Sequence, residues 1–178
     1  MKCALKIAAT FLVLLTLAGC ASSSGVVRNA SALSINNPVS LDFVSVETSS
    51  SLGGLESEKR LLDDSVILGL KETGFFGSVG GNAAETNAGS GITIKVEITE
   101  IQKISDTARL WMGGLAGQAR IVVQVTVADL NSGKQIERFE AEGASGKSAK
   151  AGTTDEAIQR AAEQVVAEMI EIRSRISQ

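Results

Sequence analysis

Histidine and tyrosine do not occur anywhere in the 178 residues. The first absence removes the commonest general base and the commonest imidazole metal ligand. Cysteine occurs twice, as Cys3 and Cys20, so thiolate chemistry and structural disulfides have little to draw on. Past Cys20 the aromatic residues are Phe43, Phe75, Phe76, Trp111 and Phe139. They are too few for base-stacking platforms or for aromatic walls around a sugar. Serine hydrolysis would need a serine–lysine arrangement, and acid–base work a pair of carboxylates; no motif announces either. No catalytic residue, cofactor or metal site is expected, and the chain reads as a non-enzyme.

What is present starts with a leader. Lys2 and Lys6 flank the start of an apolar run from Ile7 to Leu17, with Thr10 and Thr16 inside it and small residues at its end. A membrane-spanning helix needs about 20 apolar residues, so residues 1–19 read as a secretory signal peptide rather than a transmembrane anchor. The stretch Leu17-Ala18-Gly19-Cys20 resembles a bacterial lipobox. The resemblance implies cleavage before Cys20, lipid on its sulfur, and acylation of the freed amine by chains of the palmitate kind. The competing reading of Cys20 is a free thiol or half a disulfide. Cys3 leaves with the leader, however, so no internal disulfide could form, and a leftover cysteine in an exported protein needs an explanation. Two or more acyl chains hold a protein stably where one does so only marginally. Lipoproteins retained at the inner membrane often carry Asp after the cysteine. Here Ala21 follows, which by that rule points to the periplasmic face of the outer membrane, in an organism that has one.

The remaining residues are a size for one domain. With Lys2 and Lys6 removed from the 17 basic residues, 15 face 20 acidic ones, a net charge of about −5. Such a domain has no electrostatic reason to bind nucleic acid. Residues 20–37 read as a lipid-anchored tether, since Ser22-Ser23-Ser24-Gly25 is flexible in composition. Val26, Val27, Leu33 and Ile35 are apolar enough for its second half to lie on the domain or add an edge strand. Asn36-Asn37-Pro38 is turn chemistry and opens a single domain over 38–178.

Within that domain, Val39 to Glu47 reads as a strand with apolar residues on both faces. Both faces are therefore partly buried, or a bulge shifts the phase. Leu55, Leu62, Val66 and Leu70 fall at helical spacing, and opposite charges four apart (Glu56–Arg60, Lys59–Asp63) support the exposed side of that helix. Gly74 is placed to end it. Phe75 and Phe76 follow as a short segment expected to dock two rings into the core, and Gly80 to Gly91 has the composition of a loop. Ile92 to Ile101 alternates apolar and polar residues, as does Ala119 to Asp129, so each has one buried and one wet face. Asn131-Ser132-Gly133 reads as a tight turn. Lys134 to Ser145 returns as the hairpin partner, with Ile136 out of phase with Phe139 and Ala141 unless a bulge lies near the turn. Thr153 and Glu156 form a capping box for a last helix to about Arg175, with Ile158, Ala162, Val165, Met169 and Ile172 in one stripe. The order β-α-β-β-β-α predicts an α+β two-layer sandwich: about four strands, mixed or antiparallel, with two helices on one face.

Lys103 to Gly117 is longer than a plain hairpin needs. It holds Arg109, Trp111, Gly113, Gly114 and Gly117. Tryptophan and arginine are favoured at contact hot spots, and glycines let another backbone come close, so these five are the candidate partner-contacting residues. The alternative is a long hairpin whose tryptophan caps the core. A phosphate loop is disfavoured, because no Gly-Lys-Ser/Thr follows the glycines.

Arg109, Gly114 and Gly117, the Val-rich strand, Asp129, Ser132-Gly133-Lys134 and the Gly-Thr-Thr start of the last helix together resemble a family of small bacterial lipoproteins known only as a domain of unknown function. Where that family favours Thr-Gly in the turn, this chain has Ser132-Gly133. The order of elements is also similar to small periplasmic domains of envelope-assembly lipoproteins and of the Tol-system translocation protein. These readings lead to a membrane-anchored lipoprotein whose domain binds another envelope protein, as accessory or subunit of an assembly. The alternative is a periplasmic ligand-binding module for peptidoglycan or a small solute, with Arg109 and Arg120 lining its pocket.

Overall fold

The computed structural model describes residues 25–28, 43–81, 91–104, 117–146 and 152–176. The elements are β1 (Gly25–Arg28), β2 (Phe43–Ser50), α1 (Glu56–Thr73), β3 (Ser78–Gly80), β4 (Ile92–Gln102), β5 (Arg120–Asp129), β6 (Gln135–Ala144) and α2 (Thr154–Ile176). The strands form one sheet in the order β1-β6-β5-β4-β2-β3. β2 runs parallel to its neighbours β3 and β4, while β4–β5, β5–β6 and β6–β1 are antiparallel. The fold is thus the expected α+β sandwich. Its four long strands are those read from the sequence, and short β1 and β3 extend the two edges.

Alternation along the strands sends one set of side chains under the helices. Val46, Ile94 and Val127 stand in one cross-strand row, and Val96, Val125 and Phe139 in the next. All six are essentially inaccessible to water. Over them α1 lays Leu62, Val66 and Leu70, and α2 lays Ile158, Val165, Met169 and Ile172. The opposite face is polar, with Glu47 near Lys95 (3.9 Å) and Arg138 donating to Gln124. Burial on both faces of β2 was anticipated by its pattern: Phe43 and Ser45 on that face are buried like Val44 and Val46, and so are the neighbouring Thr93 of β4 and Val122 of β5.

Local details follow the chemistry. Gly74 ends α1 in the left-handed conformation (φ 65°), its N–H on the Lys71 carbonyl. Thr153 Oγ1 accepts from the Glu156 N–H at 3.1 Å, and the Glu156 carboxylate reaches back to the Gly152 N–H at 2.8 Å. The register of β5 and β6 shifts between Val127 and Ala128, which puts Ile136 into the core. Two expectations are corrected. Phe76 is buried but Phe75 is 47% exposed, and the Arg173 guanidinium lies over both rings, 5.3 Å from Phe75 and 5.8 Å from Phe76. Lys59 pairs with Glu56 rather than Asp63, and Asp63 accepts from Thr48 Oγ1 of β2 at 2.8 Å.

Candidate functional site

The connection singled out in the sequence leaves β4 and enters β5 at one end of the sheet, and its described ends are firmly held. Lys103 Nζ reaches Glu58 Oε1 of α1 at 2.5 Å. Gly117 is exposed and takes φ 93°, a conformation open to glycine at little cost. Ser145, fully buried, then secures the β5 side. Its Oγ accepts the Ala119 N–H (2.9 Å), its N–H donates to the Ala119 carbonyl (2.9 Å), and its carbonyl accepts from Gln118 Nε2 (2.8 Å). Arg109, Trp111, Gly113, Gly114 and Cys20 lie outside the described residues, as does most of the stretch 20–37. Within that stretch Gly25–Arg28 is paired as β1, so the edge strand anticipated for its second half forms instead in its first half, immediately after the serines.

Arg120 stands beside this junction on the open face. Its Nε and Nη2 meet the two Glu142 oxygens at 2.5 and 2.9 Å, and its Nη1 meets Glu100 at 3.1 Å. A guanidinium bracketed by two carboxylates has no free edge for an anionic ligand, so a pocket built on Arg120 is not what the structure provides. The Arg120 hydrogen bonds hold the Glu142 carboxyl below its usual 4.5, and Lys103 does the same for Glu58. For such groups the contribution to stability is present above the unfolded pKa and is lost as pH falls through the lower folded value. We expect denaturant midpoints to fall as pH drops below about 4.5, and E142Q to flatten that limb. Asp63 works with the opposite sign. Burial raises its carboxyl against the Thr48 hydrogen bond, so its contribution is present at low pH and lost as pH rises.

At the opposite end, Arg175 contacts Glu137 of β6 at 3.0 Å and Glu168 of α2 at 3.5 Å. Glu168 is only 3% exposed. Here two carboxylates share a cation rather than facing a cleft, which suits an internal ion pair better than acid–base chemistry. Among the described residues no group of three or more Cys, Asp or Glu could hold a metal ion. No helix among them is long and apolar enough to cross a membrane. On the outer side of the helix layer, a groove of about 460 Å³ runs between α1 and α2. Leu68 (57% exposed), Val166 and Ile170 form its apolar part, and Glu72 and Glu163 also line it.

The sequence profile of a family described as a domain of unknown function (DUF4410) matches residues 29–149. The chain belongs to that family. The match spans β2 to β6 and both ends of the β4–β5 connection, in agreement with the family resemblance read from the C-terminal half. No curated protein matches the sequence. Among solved structures the domain is similar to PelC from Paraburkholderia phytofirmans, determined as a dodecamer. That likeness has 13% identity and a TM-score of 0.54, covering 81% of this chain and 96% of PelC. It is also similar to a Xanthomonas campestris protein of the family DUF330, with 11% identity and a TM-score of 0.53, covering 88% and 97% of the two chains. At such identities the likeness is one of fold.

Ser145, Glu142 and Glu168 had not been singled out in the sequence. Glu168 alone carried a signal: it falls seven residues after Ala161, inside the apolar stripe of α2. Ser145 and Glu142 carried none, because their partners Ala119 and Arg120 lie more than 20 residues away.

Proposed function

We propose that this DUF4410 chain is a bacterial lipoprotein held on the periplasmic face of the outer membrane by Cys20. In this reading its domain performs no chemistry and acts by protein contact, as a subunit or accessory of a cell-envelope assembly. The observation that carries the reading is Leu17-Ala18-Gly19-Cys20 behind a short apolar leader. The lack of histidine and the engaged state of Arg120, Lys103 and Arg175 agree with it. The fold is shared with a protein determined as a dodecamer, which makes further copies of the chain one candidate partner. The contact is assigned to the β4–β5 connection, with Trp111 and Arg109 as anchors and Gly113, Gly114 and Gly117 permitting close approach. A peptidoglycan- or solute-binding module is the weaker reading, since the one described cation proposed for its pocket is bound by Glu100 and Glu142.

The test is palmitate labelling and fractionation in the native membrane. Wild type should take up label and sediment with the outer membrane. Cys20→Ala should lose essentially all label and fail to be processed into the anchored form. Crosslinking of the wild type in its membrane should then give one abundant adduct, with itself or with an envelope protein, that Trp111→Ala removes while leaving the melting curve unchanged. Equal label in Cys20→Ala would refute the anchor, and an adduct indifferent to Trp111→Ala would refute the contact assignment.

A further inference from the structure

The lipid-bearing residue is close in sequence to a strand whose direction is known. β1 pairs antiparallel with β6, Gly25 opposite Glu142 and Arg28 opposite Phe139. The chain before Gly25 therefore leaves toward the end of the sheet where β6 finishes. At that same end β4 finishes and β5 begins, since Gln102 pairs with Arg120 and Arg120 with Ala144. α1 also starts there, joined through Glu58 to Lys103, and so does α2, whose first turns touch Gly143. The β5–β6 turn, Asn131 to Gly133, lies at the far end.

Five residue steps separate Cys20 from Gly25, a reach of at most about 18 Å. Nine steps of β5, from Arg120 to Asp129, span about 30 Å. The tether is thus shorter than the sheet is long, and the far end cannot be brought to the bilayer without laying the domain on one of its sides. The helix side is disfavoured for that, because α1 and α2 each carry five carboxylates against three cations. The open sheet face also holds more carboxylates than cations. Anionic lipid repels such surfaces.

We propose that the domain stands end-on on the membrane that holds Cys20. The end carrying Gln102, Arg120 and Ala144 faces the lipid, and the Asn131–Gly133 turn points away. The inference rests on the lipid anchor proposed above. It places Lys103 and Gly117, the described ends of the β4–β5 connection, on the side of the domain that faces the lipid, so that a partner met at those ends is met next to the membrane.

The test uses the full chain purified from membranes and reconstituted into phosphatidylethanolamine–phosphatidylglycerol vesicles with an energy acceptor on the headgroups. Cys20 would be blocked by its lipid, so a maleimide donor should react only with an introduced cysteine, at Gln102→Cys or Asn131→Cys, both exposed positions. Transfer from position 102 is expected to exceed that from 131 severalfold. Equal or reversed transfer in acylated protein overturns the orientation and leaves the anchor standing. Maleimide reaction of wild type at Cys20 overturns the anchor itself, and the orientation falls with it. Insertion of about twenty Gly/Ser residues after Ser24 lengthens the tether to a flexible coil of roughly 25 Å and should erase the difference. A difference that survives the insertion overturns the tether as its cause.

Discussion

Gly143→Ala is expected to destabilise the domain by about 3 kcal/mol or more, the upper part of the range for overpacked cores. The glycine has an ordinary negative φ, so the reason is proximity rather than backbone freedom. A Cβ at this position would stand 2.0 Å from the Ala157 carbonyl oxygen, 2.5 Å from the Ala161 nitrogen and 3.0 Å from the Ala161 Cβ. The first two are backbone atoms of α2 and cannot rotate away. The helix must lift from β6, which loosens Ile158, Ala161, Ala162 and Val165 together. For a domain of this size, 3 kcal/mol corresponds to a fall in Tm of roughly 10 °C. Two comparisons isolate the cause. Gly53→Ala, with nothing within 4 Å, should be silent. Gly69→Ala meets Val166 Cγ2 at 2.8 Å, a methyl that can turn, and should cost less than Gly143→Ala. A Gly143→Ala protein that melts with wild type would mean that α2 does not sit on β6 as described.

Phe139→Ala should be comparably severe, at about 3–5 kcal/mol. Among the described residues Phe139 is the largest fully buried side chain, at 1% exposure. It stands beside Val125 on β6, on the face covered by the helices. Its loss leaves a void that neighbouring side chains fill only in part, so the cost exceeds the transfer free energy of the ring. Against the 5–15 kcal/mol that holds a typical domain together, such a loss is a large share. Denaturant unfolding is the measurement: the midpoint should drop while the slope stays constant. Phe139→Leu keeps most of the volume and should recover more than half of the loss. If Phe139→Ala changed the midpoint no more than a surface substitution does, the assignment of β6 to the core would be wrong.

Much of this architecture was legible in advance, and particular residues show why. Ile92, Ile94, Val96 and Ile98 alternate so regularly that the strand and its buried face follow from period alone. Thr153 with Glu156, and Gly74 after a helical stripe, are local signals that act within one turn of helix. Ile136 announced the β5–β6 irregularity by being out of phase. By contrast, Phe75 and Phe76 look alike in sequence. Only their placement against the rest of the fold separates the exposed ring from the buried one.

The candidate site divides in the same way. Arg120 was visible as an outward-facing residue of β5, but a cation available to a ligand and a cation bracketed by Glu100 and Glu142 have the same sequence pattern. Their pairing across three strands depends on register. In the sequence Gly143 was only one residue near the end of the hairpin partner Lys134 to Ser145. That it is the point where a helix backbone meets a strand is a fact about two elements brought together by the fold.

By itself, then, the sequence determined what local chemistry can determine. It specified the short apolar stretch with Cys20 behind it, the periods of the strands and helices, the helix caps, and the absence of histidine that keeps imidazole chemistry out of reach. Tertiary structure alone decided which end of the sheet receives the N-terminal strand, which charges neutralise one another, and where two backbones come too close for a methyl group. Those outcomes depend on contacts between residues far apart in the chain. Pairing there is selected by the packing of the whole sheet against two helices, and no short window of residues encodes it.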